Sequence, residues 1–311
     1  MPDARTIGSI PVSIAGLGCN NFGRRLDEKR TTEVVQAALD AGVTLFDTAD
    51  LYGDGASEEF LGRALGARRD EAVIVTKFGM CTPADGLSGA HPEWVTRACD
   101  ESLKRLGFDH VDVYLLHRPD PATPIADTLG ALNVLVDQGK VREIGCSNFS
   151  GAQLVEAAEA AKSSGMRGFA TVQNQYSLLH RDPEPAVLPA CEALGLSFMP
   201  YFPLASGLLT GKYRRGEPVP AGTRLGGAGG DPAETFVDAG RLAAVERLTA
   251  FAQAHGHTIL DLALSWLAER RPVATVIAGA TSAAQVRANA KATTAWKLAA
   301  AELAEVDTLL G

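Results

Sequence analysis

Residues 72–77 read Ala72-Val73-Ile74-Val75-Thr76-Lys77, and residues 111–117 read Val111-Asp112-Val113-Tyr114-Leu115-Leu116-His117. Both are apolar, β-branched runs of strand length with few charges, the composition of strands covered on both faces. Between them Pro92–Leu106 has the spacing of an amphipathic helix, and Ile125–Gln138 follows the second run in the same way. The unit repeats in both directions. Strand-like runs fall at Ile14–Gly18, Thr44–Asp47, Ala72–Lys77, Val111–His117, Arg142–Gly145, Ala170–Gln173, Ser197–Pro200 and Ala274–Ala278. Helical stretches fall at Lys29–Ala41, Ser57–Leu65, Pro92–Leu106, Ile125–Gln138, Ser150–Lys162, Glu184–Leu194, Gly240–Glu269 (as two helices) and Ser282–Asn289, with one more at Ala299–Leu310. Eight strands each followed by a helix predict an α/β fold, a closed (β/α)8 barrel; an eight-stranded doubly wound open sheet is the alternative.

Local signals agree with these boundaries. Pro92 stands where a helix begins and its missing N–H is harmless. Gly107 and Gly139 follow helical stretches, where a left-handed residue closes the helix. Ser57-Glu58-Glu59 reads as a capping hydroxyl followed by early acids. No interior domain boundary is visible, so residues 1–311 are expected to form one domain. The least regular stretch, Ser206–Asp238, has eight glycines between Gly207 and Gly230. A loop of that length suggests a mobile lid.

Composition excludes several classes. A hydrophobic content of 46% against 21% charged residues supports a large core. The net charge of −8 disfavours nucleic acid as a partner. No apolar stretch approaches the roughly 20 residues that span a bilayer, and Met1-Pro2-Asp3-Ala4-Arg5 lacks the apolar core of a signal peptide. The five dispersed cysteines, Cys19, Cys81, Cys99, Cys146 and Cys191, fit reduced thiols in a cytoplasmic protein. Without Cys-x-x-Cys, structural zinc is not expected.

Three ionisable residues close apolar strands: Asp47 after Leu45-Phe46, Lys77 after Val75-Thr76, and His117 after Leu115-Leu116. In a (β/α)8 barrel such ends meet on one rim, where active sites are built. Tyr52 follows Asp47 closely. A phenol has an ordinary pKa near 10, and an adjacent Lys77 ammonium is expected to lower it, with Asp47 holding the lysine. His117 is placed to polarise a carbonyl oxygen from the other side. Together they would give a proton donor and an electrophilic pocket for an oxygen that gains charge as hydride arrives at carbon. Gly-x-Ser-x-Gly is absent. His91 and His110 read as surface or cap residues.

The stretch Gly42-Val43-Thr44-Leu45-Phe46-Asp47-Thr48-Ala49-Asp50-Leu51-Tyr52-Gly53, with Ser57-Glu58-Glu59-Phe60-Leu61-Gly62 after it, resembles the aldo-keto reductase signature. The resemblance continues through Lys77, Leu115-Leu116-His117, Gly145-Cys146-Ser147-Asn148-Phe149 and Gln173-Asn174-Gln175-Tyr176. It then runs through Tyr201–Tyr213 to Gly279-Ala280-Thr281-Ser282, nearly the whole chain in order. It implies Tyr52 as general acid, Lys77 and Asp47 as its tuning pair, and His117 as carbonyl orienter. Ser147, Asn148 and Gln173 match residues that hold a nicotinamide carboxamide, and Tyr201 the aromatic on which the ring stacks. The segment Leu204–Lys212, following Pro203 and including Ser206 and Gly207, resembles a pyrophosphate-binding loop. Lys212 and Arg224 are the expected phosphate contacts. Gly279, Ser282, Gln285 and Asn289 match positions around the adenosine.

One departure bears on cofactor choice. Many relatives carry Arg or Lys at the position of Thr281, or a lysine nearer Gly279, for the adenosine 2′-phosphate. Arg224 and Arg287 are the available substitutes, and the branch with Gly-Ala-x-Ser often still uses NADPH. NADPH (NADP+) is expected, with NADH possible. Asn20, Phe22, Phe78, Trp94 and Phe149 are candidates for an apolar wall around a small-molecule carbonyl substrate. Two other functions remain open at this point: an NAD(P)-dependent sugar 1-dehydrogenase running oxidatively, and a slow-turnover nicotinamide-sensing binding protein.

Overall fold

The structure is a computed structural model that describes residues 5–80, 86, 89–221, 223–226 and 238–310. The chain opens with a two-stranded antiparallel hairpin, β1 (Arg5–Ile7) and β2 (Ile10–Val12). The barrel strands follow: β3 (Ala15–Gly18), β4 (Leu45–Asp47), β5 (Val73–Phe78), β6 (Val111–Leu116), β7 (Val141–Ser147), β8 (Thr171–Gln175), β9 (Ser197–Tyr201) and β10 (Val276–Gly279). Each pairs in parallel with the next, and β10 closes onto β3. This is the closed barrel, not the open sheet. The helices are α1 (Glu28–Asp40), α2 (Ala56–Leu65), α3 (Pro92–Leu106), α4 (Ile125–Asp137), α5 (Gly151–Ser163) and α6 (Val187–Leu194). After β9 come α7 (Ala239–Ala254) and α8 (Ile259–Ala268), and after β10 come α9 (Ala283–Ala292) and α10 (Ala300–Leu310).

Period-two alternation along the strands sorts the core into two layers. Leu45, Val73, Val75, Val113, Leu115, Met199 and Ile277 point into the barrel and pack on one another. Their neighbours Phe46, Ile74, Tyr114, Leu116, Val172 and Phe198 point outward and pack under the helices. Continuing the inward series by one step gives Asp47, Lys77 and His117. The same alternation that fills the barrel with aliphatic side chains therefore aims its polar strand ends at the axis.

The hairpin plugs the opposite end. Ile7 and Ile10 join the inner cluster, and Glu143 receives the backbone N–H of Ser9 at 2.9 Å and its hydroxyl at 2.8 Å.

Helix termini follow the residue chemistry. His91 accepts from the Glu93 N–H ahead of Pro92, and Gly107 ends α3 in the left-handed region. The expected cap at Ser57 is corrected. Gly55, left-handed at φ 91°, precedes α2, while the Ser57 hydroxyl is buried against Thr48 Oγ (2.8 Å) and Cys19 O (3.0 Å). Glu58 is likewise an interior acid, bonded to Arg105 Nε at 2.6 Å and to Thr76 Oγ. Of the expected lid, Ala205–Thr210 forms a 3-10 turn and 211–221 and 223–226 carry no regular element. Residues 222 and 227–237 lie outside the described residues, as does Cys81. No described helix is long and apolar enough to cross a membrane.

Candidate active site

A cleft of about 550 Å³ opens at the C-terminal rim of the barrel. Asp47, Tyr52 and His117 line one end. From there it passes Ser147, Asn148, Gln173 and Tyr201, then Ser206, Gly207, Lys212 and Arg224, and reaches Gly279, Gln285 and Asn289.

At the first end, fully buried Lys77 donates to Asp47 Oδ1 at 2.7 Å and to the Thr48 carbonyl at 2.7 Å. Gln173 Nε2 donates to the same Asp47 oxygen at 2.8 Å. The ammonium also stands 5.1 Å from the Tyr52 ring centre and acts electrostatically on its phenol. Tyr52 begins a short turn whose next residues, Gly53, Asp54 and Gly55, are all left-handed. A Cβ at Gly53 would meet the Phe22 carbonyl at 2.8 Å, so the tight turn that carries Tyr52 requires glycine there.

The electrostatics differ from the sequence expectation in one respect. Burial pushes the Tyr52 phenol above its usual value; Lys77 pulls it back only in part, and Asp47 adds to the rise. The lysine lowers the phenol relative to an unpaired buried tyrosine, but the net direction is upward. Lys77 itself loses stability as a cation through burial and regains more from Asp47 and Tyr52, so its pKa ends above normal. His117 is pushed down to about 3, by burial first and then by Lys77 and Arg118. It is therefore a neutral imidazole at neutral pH. Its ring lies edge-on to Tyr52, centroids 6.0 Å apart, and its Nδ1 is buried with no hydrogen-bond partner among the described residues.

The middle of the cleft is a polar lattice. Ser147 Oγ donates to Gln173 O at 2.8 Å. Asn148, left-handed at φ 63°, donates through Nδ2 to His117 O and Ser147 Oγ, both at 3.0 Å. Its Oδ1 accepts from the Tyr201 hydroxyl at 2.8 Å. Beyond Tyr201 the backbone turns through left-handed Phe202, Ala205, Ser206 and Gly207. A Cβ on Gly207 would meet Lys212 Nζ at 2.8 Å, so this turn lies flat against the lysine. The Arg224 guanidinium stacks over Phe202 at 4.7 Å. At the far end Thr281 N and Oγ bond Gln285 Oε1 at 2.7 and 3.1 Å, and Ser282 caps α9 without lining the cleft. Arg287 does not line it either.

Of the wall candidates, Asn20 lines the cleft. Phe22, Phe78, Trp94 and Phe149 do not. Phe78 stacks on Tyr114 with ring centres 4.7 Å apart, and Phe149 meets Phe169 edge-on at 5.8 Å. Trp94 lies under the Arg97 guanidinium and Phe22 is fully buried. All four belong to the layer between barrel and helices, because hydrophobicity near a strand end does not say which side of the strand a ring takes. Leu51, Met80 and Arg118 occupy the wall instead. Met80 and Arg118 sit just past the ends of β5 and β6, and that rim position was the signal available for them.

The rim of this barrel thus gathers a buried ion pair, a neutral imidazole and a left-handed turn beside two cations. Residues 15–310 match the aldo/keto reductase family, and the chain belongs to it. It is 38% identical over 280 residues to a probable voltage-gated potassium channel subunit beta of Oryza sativa subsp. japonica, covering 87% of this chain and 84% of that one. It is 35% identical over 295 residues to an uncharacterized oxidoreductase of Bacillus subtilis, covering 91% and 88%. The glycerol dehydrogenase of Gluconobacter oxydans superposes with a TM-score of 0.83 at 29% identity, over 97% of this chain and 92% of that one. The protein is accordingly a nicotinamide-dependent oxidoreductase acting between carbonyl and alcohol.

Proposed function

We infer that the protein reduces aldehydes or ketones with NADPH, with Tyr52 as proton donor. The observation that carries this is the buried Asp47–Lys77–Tyr52 relay facing a neutral His117 at one end of a cleft that runs on past Lys212 and Arg224.

The residues fit a dinucleotide. The turn Phe202–Gly207, with four left-handed residues, lies against Lys212 and Arg224, and turns of that kind form anion-binding concavities. Gln173 and Asn148 offer amides in mid-cleft, although Asn148 must exchange one of its present bonds to take up a carboxamide. When bound, the nicotinamide supplies the hydride that reaches the carbonyl carbon. The chain does the rest. Tyr52 holds its proton because burial keeps the phenol above its usual value, and it gives that proton to the carbonyl oxygen. Lys77 then stabilises the phenolate that remains, while Asp47 fixes Lys77. His117, neutral, polarises the same oxygen without competing for the proton.

The oxidative direction uses the same residues in reverse and requires Tyr52 as phenolate. Proton donation by Tyr52 is the step of this reading that a single substitution addresses. Tyr52→Phe tests it. The ring stays and the proton is removed, so kcat/KM on 4-nitrobenzaldehyde should fall by roughly two to four orders of magnitude. NADPH binding, followed by fluorescence, should hardly change. Near-normal turnover would remove Tyr52 from the reaction.

A further inference from the structure

We propose that Arg118 makes the enzyme selective for carbonyl substrates that carry a carboxylate; the proposal rests on the reductase reading above. Arg118 directly follows His117 at the C-terminal end of β6 and lines the cleft, as do the apolar Leu51 and Met80. Its side chain is exposed, and it makes no ion pair or side-chain hydrogen bond among the described residues. The nearby acid is already committed: Asp120 accepts from Ala90 N at 2.8 Å, Ala122 N at 2.9 Å and Thr123 Oγ at 2.9 Å.

The location separates Arg118 from the other cations of the cleft. Lys212 and Arg224 stand on the Phe202–Gly207 turn, and Arg25 reaches Thr223 O at 3.4 Å. Arg118 acts electrostatically on His117 and Tyr201 instead. On the reading above the phosphates of a dinucleotide take Lys212 and Arg224, which leaves Arg118 for a second anion. Asp47 is the only acid on the described wall and is taken by Lys77. In a chain of net charge −8, a cleft of this sign focuses anions. A guanidinium beside the carbonyl pocket offers paired donors to a planar carboxylate. Because Leu51 and Met80, the latter 37% exposed, line the same cleft, the fitting substrate has an apolar body with the aldehyde at one end and the carboxylate at the other.

The test compares 4-formylbenzoate with 4-formylbenzamide, which match in size and differ in charge, using NADPH at saturation. The wild-type kcat/KM ratio of acid to amide should exceed one by about five- to tenfold, the size of a charge-assisted bond at an exposed site. It should fall to about one in Arg118→Leu, drop below one in Arg118→Glu, and survive in large part in Arg118→Lys. Added salt should shrink the wild-type ratio. Equal wild-type efficiency on both aldehydes, or a ratio that ignores the leucine and glutamate variants, would overturn the proposal alone. So would a raised KM for NADPH that appears equally with both aldehydes, since that places Arg118 on the cofactor. Failure of the wild type on both, and on 4-nitrobenzaldehyde, would bring down the reductase reading and this proposal with it.

Discussion

Replacing Lys77 with methionine uncovers a charge that has nowhere to go. Asp47 is 4% exposed, and its Oδ1 would keep only the Gln173 amide at 2.8 Å once the ammonium at 2.7 Å is gone. The Thr48 carbonyl would lose its donor as well. Breaking one side of a buried pair costs about 3–5 kcal/mol, which should lower the urea midpoint by about 1 M for a chain of this size. Removing both charges is a different perturbation. Lys77→Met/Asp47→Leu should recover much of the loss, because an apolar pair of similar volume often replaces a buried ion pair at no net cost. The chemistry should move independently of stability. Burial and Asp47 raise the Tyr52 phenol and Lys77 opposes them, so Lys77→Met sends the phenol higher still. On the proposed reading alcohol oxidation needs the phenolate, so its alkaline rise should shift to higher pH in the single variant. Urea titrations followed by circular dichroism and pH–rate profiles of oxidation measure the two effects. A double variant as unstable as the single one, or an alkaline rise that does not move, would refute the reasoning.

Three further outcomes test the site. On the proposed reading reduction requires protonated Tyr52 and neutral His117; the first is held above its usual value and the second down to about 3, so kcat/KM for reduction should stay flat between about pH 5 and 9. A fall on the acid side near pH 6 would show that His117 titrates normally. Arg224→Ala should weaken NADPH far more than NADH, and Thr281→Arg should widen the preference for NADPH by about 1–3 kcal/mol, both read from KM values. Equal losses for the two cofactors in Arg224→Ala would put that arginine on the shared pyrophosphate.

Much of this was legible because one alternation runs through both the strands and their polar ends. The barrel strands announce themselves by charge-poor runs, and the inward phase of each run carries through to Asp47, Lys77 and His117, so strand pattern and site come from the same alternation. The hairpin at Arg5–Val12 was not legible: three-residue strands are too short for any period to emerge. Ser57 misled because a hydroxyl before two acids looks alike whether it caps a helix or, as here, is buried against Thr48 and Cys19. The upward shift of Tyr52 depends on how much protein surrounds it, which spacing does not encode. The rings of Phe22, Phe78, Trp94 and Phe149 failed for the same reason, since burial is settled by packing among distant segments.

The non-glycine residues with left-handed backbone among those described are Asp54, Asn148, Phe202, Ala205 and Ser206. All stand on loops at the C-terminal rim, after β4, β7 and β9, and none on the plugged end. Such conformations cost on the order of 1 kcal/mol each, so the reactive rim is held in a shape that the rest of the barrel must enforce. For protein engineering this divides the molecule in two. Helix caps and surface charges away from the rim can be optimised for heat resistance without touching turnover. At these five positions, by contrast, a substitution that relaxes the backbone trades rigidity of the reaction geometry for thermal tolerance.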